Sequence, residues 1–387
     1  MLNYSVAELR KNFVAAEDAH GNVYIVSYGN GLFIYNPKED ELQHFSAADK
    51  DPLFHSDFLL NIFIDRSGCI WICTGDGVYC CRELKDLYTE HVKIEPNTNR
   101  EWSNYVRHIS NIGNDKLAVS TRANRTYIYD TRTQQRTLER QTDACVYDYA
   151  IDPQGKKWIS TKGDGIYIDN VRYSKYKKEH YAPGAAFYKT IFDKQGRAWI
   201  ATWGEGLLIT PQTMGQQPRK FEQFLNADGK EAQIHDLLLD RKGRLWVCSN
   251  NGILMVNTAE KKITAQKFLR FSDENGKLPV SEINCGIEAH DGKLWFAATG
   301  GVLKCSYDEK TRELEYELFD TSKGLTDNNT RSLEEDNYGN IWIGTEEGIS
   351  RLNAKTNDIR SFQTGRTIFS NNFTENCATK LNDGRLV

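Results

Sequence analysis

The chain has 387 residues, 26% charged and 39% hydrophobic, with 49 Lys and Arg against 53 Asp and Glu and a net charge of −4. No basic excess is present to neutralise a phosphate backbone, which argues against a nucleic-acid platform, and no apolar run reaches the roughly 18 residues of a membrane span. Nineteen Tyr, eight Trp and 29 Gly against three Met favour strands joined by tight turns over helix packing.

Residues 1–12 lack the apolar core of a signal peptide. From Val14 one phrase recurs: an apolar strand, Asp-x-x-Gly, two residues, Trp-Ile-x-Thr, a Gly-containing turn and a second apolar strand. The first copy is weak. The second, from Ile62, carries Asp65, Gly68 and Trp71, and the third, from Asn111, has lost the Gly and Trp of the frame. Clear copies follow from Tyr149 (Asp152, Gly155, Trp158), Thr190 (Asp193, Gly196, Trp199) and Leu237 (Asp240, Gly243, Trp246). A weaker one runs from Ile287 with Trp295, and a clear one from Leu333 with Asp336, Gly339 and Trp342. The anchor positions Tyr24, Trp71, Ala118, Trp158, Trp199, Trp246, Trp295 and Trp342 stand 40–49 residues apart. A ninth copy opens at the end, where Gly384 puts Val387 at the anchor position.

Each repeat predicts four strands, A to D. Asp-x-x-Gly is the A–B hairpin turn, with Gly supplying positive φ and Asp bonding its own backbone. Four short strands over 40–50 residues are the period of a β-propeller blade, so the fold class is all-β. The repeated Trp would fill the wedge between neighbouring blades. The Asp–Gly gap of three fits the sialidase Asp-box poorly, no Trp-Asp dipeptide supports WD40, and the Thr-Gly-Lys element of quinoprotein dehydrogenases is missing. The nine Cys lack zinc-knuckle spacing and the eight His form no i, i+4 pair, so neither a metal nor a cofactor is expected. Vicinal Cys80 and Cys81 read as two strand residues facing opposite ways.

The phrase Asp-x-x-Gly-x-x-Trp-Ile-x-Thr-x-x-Gly, in seven recognisable copies over residues 14–353, resembles the two-component regulator propeller repeat of periplasmic sensor domains in Bacteroides-type hybrid two-component systems. The resemblance implies a sensor without enzyme activity, located in the periplasm. It also implies a homodimer, an oligosaccharide ligand, and downstream β-sandwich, membrane-helix and histidine-kinase modules that this sequence does not contain. Members usually carry seven-bladed propellers in series. Residues 1–103 would then be the tail of a preceding propeller and 104–387 a seven-bladed one with a truncated last blade. The alternative is that eight complete repeats close on themselves.

Variable loops over a rigid scaffold are where binding residues concentrate. In a propeller the B–C and D–A loops share one face. Its B–C candidates are Tyr28, Arg122, Arg125, Trp203 and Glu205; its D–A candidates are Trp102, Tyr181, His235, Asn284, Asn329 and Arg331. Trp102 and Trp203 stand off the repeat frame beside polar residues, the makings of a sugar platform. Arg122 and Arg125 suit a sulfate or uronate. Two other readings compete with a sugar sensor: a protein-interaction propeller anchored by Trp102 and Trp203, and a propeller lyase using His55, His235 or Tyr181 as base.

Overall fold

The structure, a computed structural model, describes residues 13–18, 21–37, 40–49, 54–65, 69–75, 77–81, 92–98, 102–169, 171–173, 186–210, 222–225, 233–260, 263–362 and 373–387. The chain divides into two compact units, Met1–Glu90 and His91–Val387. Unit 1 holds a four-stranded sheet, β1 to β4 (Phe13–Glu17, Val23–Ser27, Gly31–Asn36, Glu41–Phe45), and a three-stranded one, β5 to β7 (Leu59–Ile64, Ile70–Thr74, Gly77–Cys81).

Unit 2 holds six sheets of four strands in sequential order. They are β8 to β11 (Val106–Gly113, Lys116–Thr121, Arg125–Asp130, Arg136–Gln141), β12 to β15 (Val146–Ile151, Lys157–Thr161, Ile166–Ile168, Val171–Tyr173) and β16 to β19 (Ala186–Phe192, Ala198–Trp203, Leu207–Ile209, Glu222–Leu225). Next come β20 to β23 (Ile234–Leu239, Arg244–Ser249, Gly252–Asn257, Leu269–Phe271), β24 to β27 (Ile283–Glu288, Leu294–Ala298, Gly301–Asp308, Glu313–Phe319) and β28 to β31 (Thr330–Glu335, Asn340–Thr345, Gly348–Asn353, Ile359–Phe362). All neighbours are antiparallel, so every expected four-strand repeat in unit 2 is one meander sheet.

The sheets pack face to face through the frame aromatics. Trp246 on β21 packs on Phe271 of its own sheet and on Phe296 of the next. Trp199 lies among Leu237, Leu245 and Val247 of the following sheet, and Trp295 among Leu333, Ile341 and Ile343. Trp158 meets Phe192 at 5.3 Å. Where the third repeat has Ala118, Tyr149 and Tyr167 of the next sheet occupy the space. Trp71 departs from the wedge expectation and is 40% exposed. Within unit 1, Tyr24 packs against β5 and β6, and among the described residues of that unit β5 to β7 form the last sheet.

Residues 373–387 lie between the last and first sheets of unit 2. The Phe373 and Asn376 amides bond the carbonyls of Thr345 and Arg331 on one side. On the other, Thr374 Oγ1 donates to the Val106 carbonyl and Asn111 Nδ2 to the Lys380 carbonyl. Leu381 is buried with Ile94, Ile109, Leu117 and Val119.

Candidate ligand-binding site

The same register that pairs the strands also places a set of side chains. In each sheet of unit 2 the first strand carries one extra residue against its partner: Arg107, Tyr147, Tyr188, His235, Asn284 and Arg331. A bulge breaks the alternation of the pleat and re-aims a side chain. It recurs near the start of every first strand, opposite the end of the second, so the re-aimed side chains gather beside the turns joining second and third strands. Tyr147 and Tyr188 each stand five residues ahead of the turn aspartates Asp152 and Asp193. The same offset ahead of the Leu381–Gly384 turn selects Asn376, which has φ 51°.

These residues form a continuous circuit. The Arg107 guanidinium lies 3.7 Å over the Tyr147 ring, and Tyr147 and Tyr188 are 4.5 Å apart. Tyr188 stacks on Trp203 at 5.5 Å, and Trp203 meets His235 edge-on at 5.3 Å. Asn376 Nδ2 donates to the His235 carbonyl at 3.1 Å. Arg331 donates to Glu375 at 2.6 Å and also to Glu346. Arg107 donates to the Glu375 carbonyl at 3.1 Å and lies 3.7 Å from its carboxylate.

Burial holds the His235 imidazole below its usual range, against the pull of Glu375 and Glu282. It is therefore a neutral ring with one donor and one acceptor nitrogen. His235 is 1% exposed, and neither nitrogen has a hydrogen-bond partner; Nε2 lies 3.8 Å from the Glu282 carboxylate. Asn284 donates to the Thr330 carbonyl at 2.7 Å, but its buried Oδ1 also lacks a partner. Unpartnered polar atoms of this kind are rare in folded proteins and call for an explanation. Burial, with Tyr147 and Glu375, pushes the Tyr188 hydroxyl up, so it stays protonated.

The next residue along each first strand forms a second layer: His108, Asp148, Lys189, Asp236, Cys285 and Ser332. Lys189 Nζ lies 3.5 Å from Asp148, whose other oxygen accepts the Thr190 amide. Asp236 accepts the Gly286 amide at 3.1 Å; burial pushes its carboxyl up to about 6, with Lys189 opposing. This layer neutralises much of its own charge. His108 Nδ1 is its unpartnered buried atom; in the first layer the His235 ring nitrogens and Asn284 Oδ1 are unpartnered.

Of the residues expected from the sequence, Trp203, His235, Asn284 and Arg331 come together here. Glu205 shares the turn after Trp203, its amide donating to Thr202 Oγ1. Asn329 bridges to Thr299 and also has a buried, unpartnered Oδ1. Trp102 and Arg122 form a separate cluster with Tyr105, the guanidinium lying 5.7 Å and 4.3 Å from the two rings. Arg125 is tied to Glu95 at 2.8 Å and to Gln141, so it joins β10 to the segment ahead of β8 and to β11. Tyr28 belongs to unit 1, edge-on to Phe58. Tyr181 and Gly68 lie outside the described residues. Tyr147, Tyr188, Glu375 and Asn376 were missed by the sequence reading; the five-residue offset ahead of the turn finds Tyr147, Tyr188 and Asn376, and Glu375 is the neighbour of the last. Among the described residues no cluster of metal-ligating side chains occurs.

Sequential four-stranded sheets with aromatic wedges between them define a β-propeller. Residues 324–347, in one of its repeats, match the family model described as "Two component regulator propeller". No curated protein matches the chain. Among solved structures, the extracellular domain of the putative one component system BT4673 from B. thetaiotaomicron is similar over 95% of this chain and 50% of that one, at 18% identity and a TM-score of 0.55. PorZ of Porphyromonas gingivalis, a surface component of the type-IX secretion system, is similar over 94% and 58%, at 15% identity and 0.52. An inactive virginiamycin B lyase from Staphylococcus aureus with quinupristin is similar over 70% and 87%, at 16% identity and 0.51. At these identities the likeness shows a shared fold. The chain spans half the length of the first of these structures.

Proposed function

We propose that this chain is the sensing portion of a longer signalling protein, and that it binds an oligosaccharide at the circuit around Trp203 and His235. One observation carries the reading. The aromatic wall of Tyr147, Tyr188 and Trp203 adjoins His235, whose buried ring nitrogens have no hydrogen-bond partner. An apolar face joined to fixed donors and acceptors is what a sugar ring requires. The regulator-type repeat supports the sensing role and a location outside the cytoplasm. It also supports a homodimer that passes its signal to β-sandwich, membrane-helix and kinase modules downstream.

Calorimetry of the chain against plant and host glycan fragments tests the reading. Trp203→Ala is expected to weaken binding by about tenfold or more, as loss of a central aromatic anchor does. A panel that binds equally well without Trp203 would place the ligand elsewhere. His235 also motivates a lyase reading, because a neutral buried imidazole near Glu282 suits a general base. Catalytic turnover of any panel member, lost in His235→Ala, would favour that alternative.

A further inference from the structure

Resting on that sugar-binding reading, we propose that the ligand carries a carboxylate. Arg107 and Arg331 form its anionic subsite, and Glu375 is the resting occupant that the carboxylate replaces.

Arg107 is built into the site: its side chain is 8% exposed and its guanidinium stacks on Tyr147. Yet at 3.7 Å the Glu375 carboxylate is beyond hydrogen-bond range of this guanidinium. The fork reaches only the backbone carbonyl of Glu375, at 3.1 Å. A planar fork matched to carboxylate geometry is thus held in place by a partner that does not fill it. Arg331 holds the same carboxylate at 2.6 Å with one nitrogen and Glu346 with another. Glu375 therefore bridges two guanidiniums that converge from the first and last strands of the circuit, β8 and β28.

The aromatic wall fixes the direction of approach. It runs from Trp203 through Tyr188 and Tyr147 to Arg107, so a sugar chain laid along it ends at the guanidinium. Exchange of one carboxylate for another keeps buried Arg107 compensated. A neutral ligand that displaced Glu375 would strand Arg107, which costs far more than the pair itself contributes, while half-buried Arg331 would keep Glu346. The site thereby selects for charge. Glu375 also adjoins Asn376 and Thr374, which bond the His235 and Val106 carbonyls. Its release frees the segment that joins the last sheet to the first, giving the binding event a structural readout.

The test is calorimetric titration of the whole chain with trigalacturonate, its methyl ester, sialyllactose and lactose. The two acids separate a plant uronate from a host sialate. Wild-type protein is expected to bind one acid and to bind its neutral counterpart more weakly. Glu375→Gln removes the internal competitor and should tighten the acid by about tenfold relative to the neutral probe. Glu375→Asp keeps the charge but shortens its reach, so it should give a smaller gain in the same direction, and it decides the matter if Glu375→Gln does not fold. Arg331→Gln should abolish the preference for the acid. Equal binding of acid and neutral probe, or no gain in either Glu375 variant, overturns the carboxylate subsite. If Trp203→Ala still weakens both probes in that case, the sugar reading stands by itself. No binding by wild type or variants overturns both.

Discussion

Trp295 is the frame tryptophan whose indole nitrogen is buried without a partner. In the sister repeats that nitrogen donates to the turn aspartate six residues earlier: Trp158 to Asp152 at 3.1 Å, Trp199 to Asp193 at 2.7 Å, Trp246 to Asp240 at 2.8 Å and Trp342 to Asp336 at 2.9 Å. The other oxygen of the same aspartate accepts the amide four residues on, as from Lys156 and Arg244. One carboxylate therefore ties the hairpin turn to the wedge. Ala289 occupies this position ahead of Trp295. Ala289→Asp is expected to raise stability by about 1 kcal/mol through the satisfied indole, the Lys293 amide already donating to Asp291; urea denaturation reads the gain. Asp336 gives the sign of its pH dependence. Burial pushes that carboxyl up, but bonds from Asn340, Trp342 and the Tyr338 amide outweigh it and hold the group below its ordinary range. A carboxyl depressed on folding stabilises above its unfolded pKa of about 3.9 and loses that contribution as pH falls through the folded value. The gain from Ala289→Asp should thus be full at pH 7 and smaller at pH 3, below the unfolded pKa. A variant destabilised equally at both would remove this role for the aspartate. The sequence showed Asp as a turn former and Trp as wedge filler. Their mutual bond was not legible, because it depends on how far the indole of the second strand leans back over the turn.

At the scale of the element, the glycine that opens the third strand answers to the fourth strand as well as to the turn. At Gly252, with φ +87°, an added Cβ would lie 2.1 Å from the Phe271 carbonyl oxygen, where the fourth strand of that sheet ends. Gly31 and Gly301 meet the Phe45 and Phe319 carbonyls at 2.2 Å in the same position. Three sheets thus share one close approach that only a residue without Cβ permits. Gly252→Ala should cost about 2–4 kcal/mol, since neither φ nor the backbone oxygen can yield cheaply. A melting temperature unchanged by the substitution would show that the fourth strand is free to move away. The four-strand meander was fully legible from the period and the turn residues. The bulge in each first strand was not, since no residue type marks it: Arg, Tyr, Tyr, His, Asn and Arg occupy it in turn. Four of the candidate residues were reached through loop composition. Tyr147 and Tyr188 were passed over because they sit inside strands, where an aromatic reads as core.

At the scale of the molecule, unit 2 joins its ends through residues 373–387 rather than through a complete sheet. This segment contributes apolar contact through Leu381 and polar contact through Asn111, Thr374 and Asn376. It also supplies Glu375, the carboxylate that compensates Arg107 and Arg331. The apolar and ionic contributions fail together if the segment is lost. Uncovering Leu381's neighbours returns Ile109, Leu117 and Val119 to water, and Arg107 becomes a buried cation with no counter-charge. Leaving one partner of a buried pair costs about 3–5 kcal/mol by itself, and a buried leucine adds about 2 kcal/mol. Deleting residues 373–387 is therefore expected to remove a large part of the stability of unit 2, which for a protein domain is about 5–15 kcal/mol in total. Hydrogen exchange locates the effect: the amides of Ile109 and Val119, in β8 and β9, should lose protection before those of β20 and β21 on the far side of the same unit. Restoring neutrality with Arg107→Met in the shortened chain should recover the ionic share but not the apolar one. Uniform loss of protection through all six sheets would instead mean that the segment holds the whole unit as one cooperative body. In that case a ligand that releases Glu375 would loosen every sheet at once, and the signal would not be confined to the seam.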